Sequence, residues 1–277
     1  MTEREGLTPS LFLCVQAGYA AHAHGARVNT SREPILNVPA IVVLILALLV
    51  AVHAVRWLVL SEEADQIFLL TFAFIPARYD PAGALDGVLS GGTGAQIWTF
   101  VTYALIHADI THLGFNSIWL LAFGSPVARR FGVLRFLLFC AATVAAGALA
   151  HLATHAGEPN PMIGASAAIS GMMGAATRFA FQRGGSLDFW RGANGDPDRI
   201  PAAPLLVALR NPRVVAFLAV WFGLNLLFGL GSISFGGAEQ SVAWEAHVGG
   251  FVVGLLMFSA FDPIPPTPDP GSIPTLH

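Results

Sequence analysis

Between residues 38 and 261 the chain alternates long apolar blocks with short polar stretches, and this constrains its fold more than any other feature. The blocks fall at about 38–60, 110–127, 133–151, 163–181, 214–230 and 243–261. A run of about 20 apolar residues, rising about 1.5 Å each in a helix, matches the roughly 30 Å hydrocarbon core of a bilayer. Only 11% of the residues are charged and 55% are hydrophobic, against about 25% charged in a soluble domain. Backbone in lipid must satisfy its own hydrogen bonds, which leaves helices as the economical solution for blocks of this length. The expectation is an all-α membrane protein with six spans.

The remaining stretches divide the chain. Residues 1–37 are mixed and polar, and read as a flexible cytoplasmic arm. A second apolar patch at 67–79 includes Pro76 and is too short to cross, so it reads as interfacial or re-entrant. Residues 87–95 and 182–212 read as loops, and 262–277 as a Pro-rich cytoplasmic tail. The membrane domain is then 38–261. Every basic residue is arginine, and arginines gather before span one, between spans two and three, and between spans four and five. That asymmetry puts both termini in the cytoplasm. Arg56 sits inside span one, near enough to its outer end to snorkel. No dense basic run exists, so a nucleic-acid partner has no support. Cys14 and Cys140 are far apart, and Cys140 lies in an apolar block, so a disulfide framework is not expected.

Polar groups inside spans are costly, and those in spans two, four and six stand near the outer start of each. Span two carries His107, His112 and Asn116, the last two on one helical face. Span four carries Ser166 in its first turn, and span six carries His247 about one turn in. Small residues give these spans close-packing faces: Ser166, Ser170 and Gly174 on span four, and His247, Gly250 and Gly254 on span six. A serine hydroxyl becomes a nucleophile when a base takes its proton, and histidine is the usual base. The Ser166 backbone N–H at a helix start, together with His112 and Asn116, supplies donors for an oxyanion. Glu245 lies two residues before His247, on another face, so the arrangement is a Ser–His dyad rather than a triad.

At these residues the sequence resembles the rhomboid intramembrane serine proteases. His107-x4-His112-x3-Asn116, Gly164-Ala165-Ser166 with Gly171 and Gly174, and Ala246-His247-x2-Gly250-x3-Gly254 occur in the family's order. The resemblance implies a rhomboid-like six-helix bundle of the bacterial inner membrane. It implies Ser166 as nucleophile, His247 as base, and His112, Asn116 and Ser166 around the oxyanion. His107, Gly164, Gly250 and Gly254 become supporting residues. The substrates would be transmembrane proteins, cleaved in or near their spans without metal or organic cofactor. Span five would form a mobile wall for substrate entry. Three positions depart from the family pattern: Ala167 stands where glycine is usual, Ser170 where an aromatic often packs on the base, and Thr99 follows Trp98 where arginine is common. The first two motivate an alternative, a weak or inactive relative that binds membrane clients.

His151 and His155 are four apart at the outer end of span three, a spacing able to hold a metal. The sequence positions no third ligand, so they read as an interfacial pair. A small transporter or metal-handling protein, prompted by the nine histidines, is a third reading.

Overall fold

The computed structural model describes residues 38–80, 83, 89–188, 196–229 and 242–265. The arm at 1–37 and most of the Pro-rich stretch, 266–277, lie outside the described residues. Helix α1 (Ala40–Leu58) fills the first apolar block. Helix α2 (Glu62–Phe72) follows at once: the Ser61 hydroxyl accepts the Ala64 N–H at 3.3 Å, and Glu62, Glu63 and Asp65 occupy its first turn. Both features favour a helix start, the acids by facing the positive end of its dipole.

Arg56 does not snorkel. It is 8% exposed, and its guanidinium grips Asp65 at two points, 2.6 and 2.9 Å, while donating to the His107 carbonyl at 2.8 Å. The reason is that α2 folds back over the end of α1 and brings a carboxylate to it. A two-point ion pair with a further carbonyl acceptor satisfies a charge that would otherwise need water.

The patch at 67–79 is not one element. α2 ends at Phe72, Phe74 pairs with Met162 as an isolated antiparallel bridge, and Pro76–Tyr79 form a 3-10 turn. Helix α3 (Gly92–Thr102) begins inside the stretch read as a loop. It forms because Trp98 and Thr102 tie it to α2, donating to the carbonyls of Thr71 (2.9 Å) and Phe72 (2.7 Å). Gly94 sits under the Trp98 ring, where a methyl would come within 2.3 Å of it.

The second apolar block runs unbroken from α4 (Ile110–Trp119) through a π-helical turn at Leu120–Gly124 into α5 (Ser125–Phe131). Pro126, which donates no bond to the carbonyl four residues back, accounts for the widened turn. After Gly132, at φ +75°, comes α6 (Val133–Thr154). Then follow α7 (Ser166–Ala176), the short α8 (Leu205–Leu209), α9 (Pro212–Gly229) and α10 (Trp244–Phe261). α1, α6 and α10 are long and apolar enough to cross a membrane by length and composition alone.

α7 is shorter than the expected 163–181 block, and the difference is informative. All of its residues after Ser166 are buried. A helix enclosed by protein need not satisfy the length rule, and irregular backbone at its ends is tolerated there. Glycines set how closely it is enclosed. A methyl on Gly250 would lie 2.2 Å from the Ala167 carbonyl oxygen, and one on Gly254 2.3 Å from that of Gly171. On the other side, Gly147 and Gly171 hold α6 and α7 together, against Ala167 and Thr143 respectively. The close-contact residues of α7 are therefore Ala167, Gly171 and Gly174, and Ser166 stands at the edge of that face.

At the opposite end from Ser166, several of the arginines between spans are paired with carboxylates. Arg130, 3% exposed, binds Asp262 at 2.8 and 2.9 Å, donates to the carbonyls of Asp198 and Ile200, and lies over the Phe179 ring at 4.6 Å. Arg129 pairs with Asp198 and Arg213 with Asp188. The protein is thus an all-α membrane protein, a bundle of apolar segments in which α7 is enclosed by its neighbours.

Candidate active site

The backbone entering α7 descends into the protein and is held at two places. Phe74 and Met162 exchange hydrogen bonds at 3.1 and 2.8 Å, and the Gly164 N–H donates to the Tyr103 carbonyl at 3.0 Å. Tyr103 is itself fixed, its hydroxyl donating to the Val144 carbonyl at 2.9 Å. Gly164 adopts φ +120°, open to glycine and strained for other residues. This bend delivers Ser166 as the first residue of α7, with its backbone N–H free of any helical partner.

Ser166 and His247 meet: Ser166 Oγ lies 2.7 Å from His247 Nε2. Their helices make this approach with Gly250 and Gly254 against the α7 backbone. The other side of the imidazole faces Asn225 of α9, with His247 Nδ1 2.5 Å from Asn225 Oδ1. The Asn225 amide nitrogen donates to the Trp221 carbonyl at 2.8 Å. A carbonyl only accepts, so that bond fixes which end of the amide is nitrogen. Asn225 Oδ1 therefore accepts from His247 Nδ1–H, and Nε2 presents its lone pair to the Ser166 hydroxyl.

The same reasoning orients His112. The Ala108 N–H donates to His112 Nδ1 at 3.4 Å, which leaves the proton on Nε2. A methyl built on Gly164 would lie 2.8 Å from His112 Nε2 and 3.7 Å from Ser166 Oγ. The bare Gly164 Cα thus leaves open a small space that the His112 donor and the Ser166 hydroxyl both border. Asn116, 4% exposed, donates one amide N–H to the His112 carbonyl at 2.9 Å and retains a second. His107 is completely buried, its ring centroid 5.0 Å from that of His112.

Ala167 does not point its methyl at this space. The methyl meets Gly147 of α6, where an added carbon would sit 2.6 Å from it. The extra carbon at position 167 is matched by a missing one at 147.

Asn225 is the residue the sequence reading passed over. The signal was present: an amide inside the fifth apolar block is as costly as the groups noted in spans two, four and six. Its partner was not legible, because α9 and α10 are joined through residues whose sequence fixes no register between them.

The family model for the Rhomboid domain matches residues 94–261, well over half the chain. The YdcA protein of Bacillus subtilis is 33% identical over 132 residues, covering 47% of this chain and 59% of its own length. The rhomboid protease GluP of Bacillus subtilis is 29% identical over 164 residues, covering 59% of this chain and 26% of its own. The rhomboid protease GlpG of Enterobacter sp. (strain 638) is 25% identical over 212 residues, 76% of this chain and 60% of its own. The chain therefore spans less than two thirds of the length of each of these relatives.

Proposed function

The chain belongs to the rhomboid family, and from that premise we propose that it is an intramembrane serine endopeptidase with Ser166 as nucleophile and His247 as general base. The observation that carries the reading is the 2.7 Å contact between Ser166 Oγ and His247 Nε2.

In the first half-reaction His247 Nε2 takes the Ser166 hydroxyl proton as Oγ attacks the scissile carbonyl carbon. The Asn225 oxygen holds Nδ1–H and so favours the imidazolium that forms. The carbonyl oxygen becomes an oxyanion over Gly164, where the Ser166 backbone N–H, His112 Nε2–H and the second Asn116 N–H are its donors. Such preorganised donors are worth about 3–4 kcal/mol each in related chemistry. His247 then returns the proton to the leaving amine as the C–N bond breaks. Water, deprotonated by the same nitrogen, hydrolyses the acyl-serine. His107 supports His112 from behind without touching Ser166 or His247. No step requires a metal or cofactor.

The site lies within a bundle of apolar segments, which favours membrane proteins cleaved in or near their spans as substrates. The lipid bilayer is the other partner. The arginine distribution supports an orientation with both termini cytoplasmic; residues 1–37 form an arm, 38–261 the membrane domain and 262–277 a tail in this reading, which places the protein in a bacterial inner membrane. The client-binding alternative rested on Ala167 and Ser170. The Ala167 methyl packs on Gly147, away from the space above Gly164, and Asn225 accepts from His247 Nδ1–H, which supports the proteolytic reading over it.

The test is cleavage of a reporter transmembrane substrate in proteoliposomes. Ser166→Ala and His247→Ala are expected to abolish cleavage while both variants stay folded. Cleavage at the wild-type rate by either one rejects the proposal.

A further inference from the structure

The outer ends of α6 and α10 carry a group of side chains that the reaction does not use. His151 and His155 are stacked, ring centroids 4.2 Å apart, in the last turn of α6 and just beyond it. Glu245, in the first turn of α10, completes the group: among the described residues, one candidate ligand atom from each of the three lies within 4.8 Å of the others. The sequence supplied the two histidines, and the fold supplies the third donor by setting α10 against α6. Gly249 permits this, since a methyl there would come within 2.6 Å of Ala150 Cβ.

Two further observations point to a ligand. His151 is only 8% exposed, and its Nδ1 is buried without a hydrogen-bond partner. A polar atom left so is costly unless something occupies it. His155 is held in one tautomer. The Thr154 hydroxyl reaches the Ala150 and His151 carbonyls (3.2 and 3.1 Å), while His155 Nδ1 lies 2.8 Å from Thr154 Oγ1 and 3.3 Å from the His151 carbonyl. Both acceptors require the proton on His155 Nδ1, which leaves Nε2 with a free lone pair. Metal-binding histidines are oriented by this kind of outer hydrogen bond.

We infer that His151, His155 and Glu245 form a binding site for a zinc-class divalent cation on the outer face of the protein. Two imidazoles and one carboxylate, with a fourth position for water, are a zinc ligand set, whereas magnesium and calcium favour all-oxygen sites. Donors around tetrahedral zinc stand about 3.3 Å apart, given bonds of about 2.0–2.1 Å. The group must therefore contract by roughly 1.5 Å at most, within reach of rotations by the half-buried His155 and Glu245 side chains. A shallow groove between α6 and α10, lined by Ala150, Thr154, Trp244 and Glu245, reaches the group at its carboxylate. A bound ion straps the end of α6 to the start of α10, two residues before His247.

The experiment uses the full chain in detergent micelles, with any histidine tag removed. It is equilibrated with zinc or magnesium chloride, and bound metal is measured by mass spectrometry alongside Tm. The wild type is expected to retain one zinc per chain, to gain Tm with rising zinc, and to ignore magnesium. His155→Ala and Glu245→Gln alter partly exposed side chains, so both are expected to fold, and each lowers zinc affinity at least tenfold. Absence of zinc binding by the wild type, or undiminished affinity in either variant, overturns the inference. Neither readout depends on proteolysis, so the two proposals fail separately.

Discussion

On the proposed mechanism, Asn225→Ala separates the positioning of the base from its presence. Ser166 and His247 stay in place, as do the oxyanion donors; the bonds removed are that from His247 Nδ1–H to Asn225 Oδ1, 2.5 Å long, and the Asn225 amide's own bond to the Trp221 carbonyl, of which only the first touches the imidazole. In the ground state this is a bond to a neutral ring, but in the transition state the ring carries the serine proton and the bond becomes charge-assisted. A hydrogen bond to a charged group contributes about 1.5–3 kcal/mol. At about 1.4 kcal/mol per tenfold, kcat should fall about 10- to 150-fold. KM should change little, because the residue faces the base and not the open space above Gly164. The assay is reporter cleavage in proteoliposomes, with fluorophosphonate labelling of Ser166 falling in parallel and Tm within a few degrees of wild type. Asn225→Asp keeps an acceptor at the same place and should recover most of the rate, an outcome that a purely structural role would not produce. If Asn225→Ala retains kcat within twofold, or if the aspartate variant is no better than the alanine one, the positioning argument is wrong.

Other substitutions probe the remaining parts of the structure. Gly164→Ala forces a methyl against His112 Nε2 at φ +120°, with a backbone penalty of about 1–3 kcal/mol; fluorophosphonate labelling should drop more than tenfold. Gly254→Ala pushes a carbon into the Gly171 backbone and should cost about 1–3 kcal/mol by overpacking, read as a lower Tm with α7 and α10 forced apart. Arg130→Met strands the buried Asp262 carboxylate, at a cost of about 3–5 kcal/mol; chemical denaturation in mild detergent measures it. Ala167→Gly should leave cleavage within about threefold, since what is lost is roughly 1 kcal/mol of helix propensity and a methyl that meets Gly147 rather than the site.

The sequence made the membrane bundle legible because apolar block length answers directly to bilayer thickness. It made Ser166 and His247 legible because polar groups in such blocks need a reason, and because the Gly250 and Gly254 spacing announces a close helix contact. It was less informative where a partner is brought from afar. Arg56 looked like a snorkelling residue, since nothing local says that α2 folds back to present Asp65. α3 looked like a loop, since Gly92 and Gly94 disguise a helix that Trp98 and Thr102 secure through contacts to α2. Asn225 and Glu245 carried polar signals of their own, but what each faces depends on how α9 and α10 and how α6 and α10 register, and hydrophobic periodicity alone does not set that. The close-packing face of α7 was misjudged by one residue, Ala167 for Ser166, because both are small and only the partner's glycines discriminate between them.

The most direct measurement of the central claim is the site of covalent capture. The folded protein is treated with a fluorophosphonate and digested, and the adduct is located by mass spectrometry. The account predicts a single phosphonylated residue, Ser166, with labelling lost in His247→Ala. An unmodified Ser166 in folded protein, or labelling of Ser166 that proceeds equally fast without His247, contradicts it.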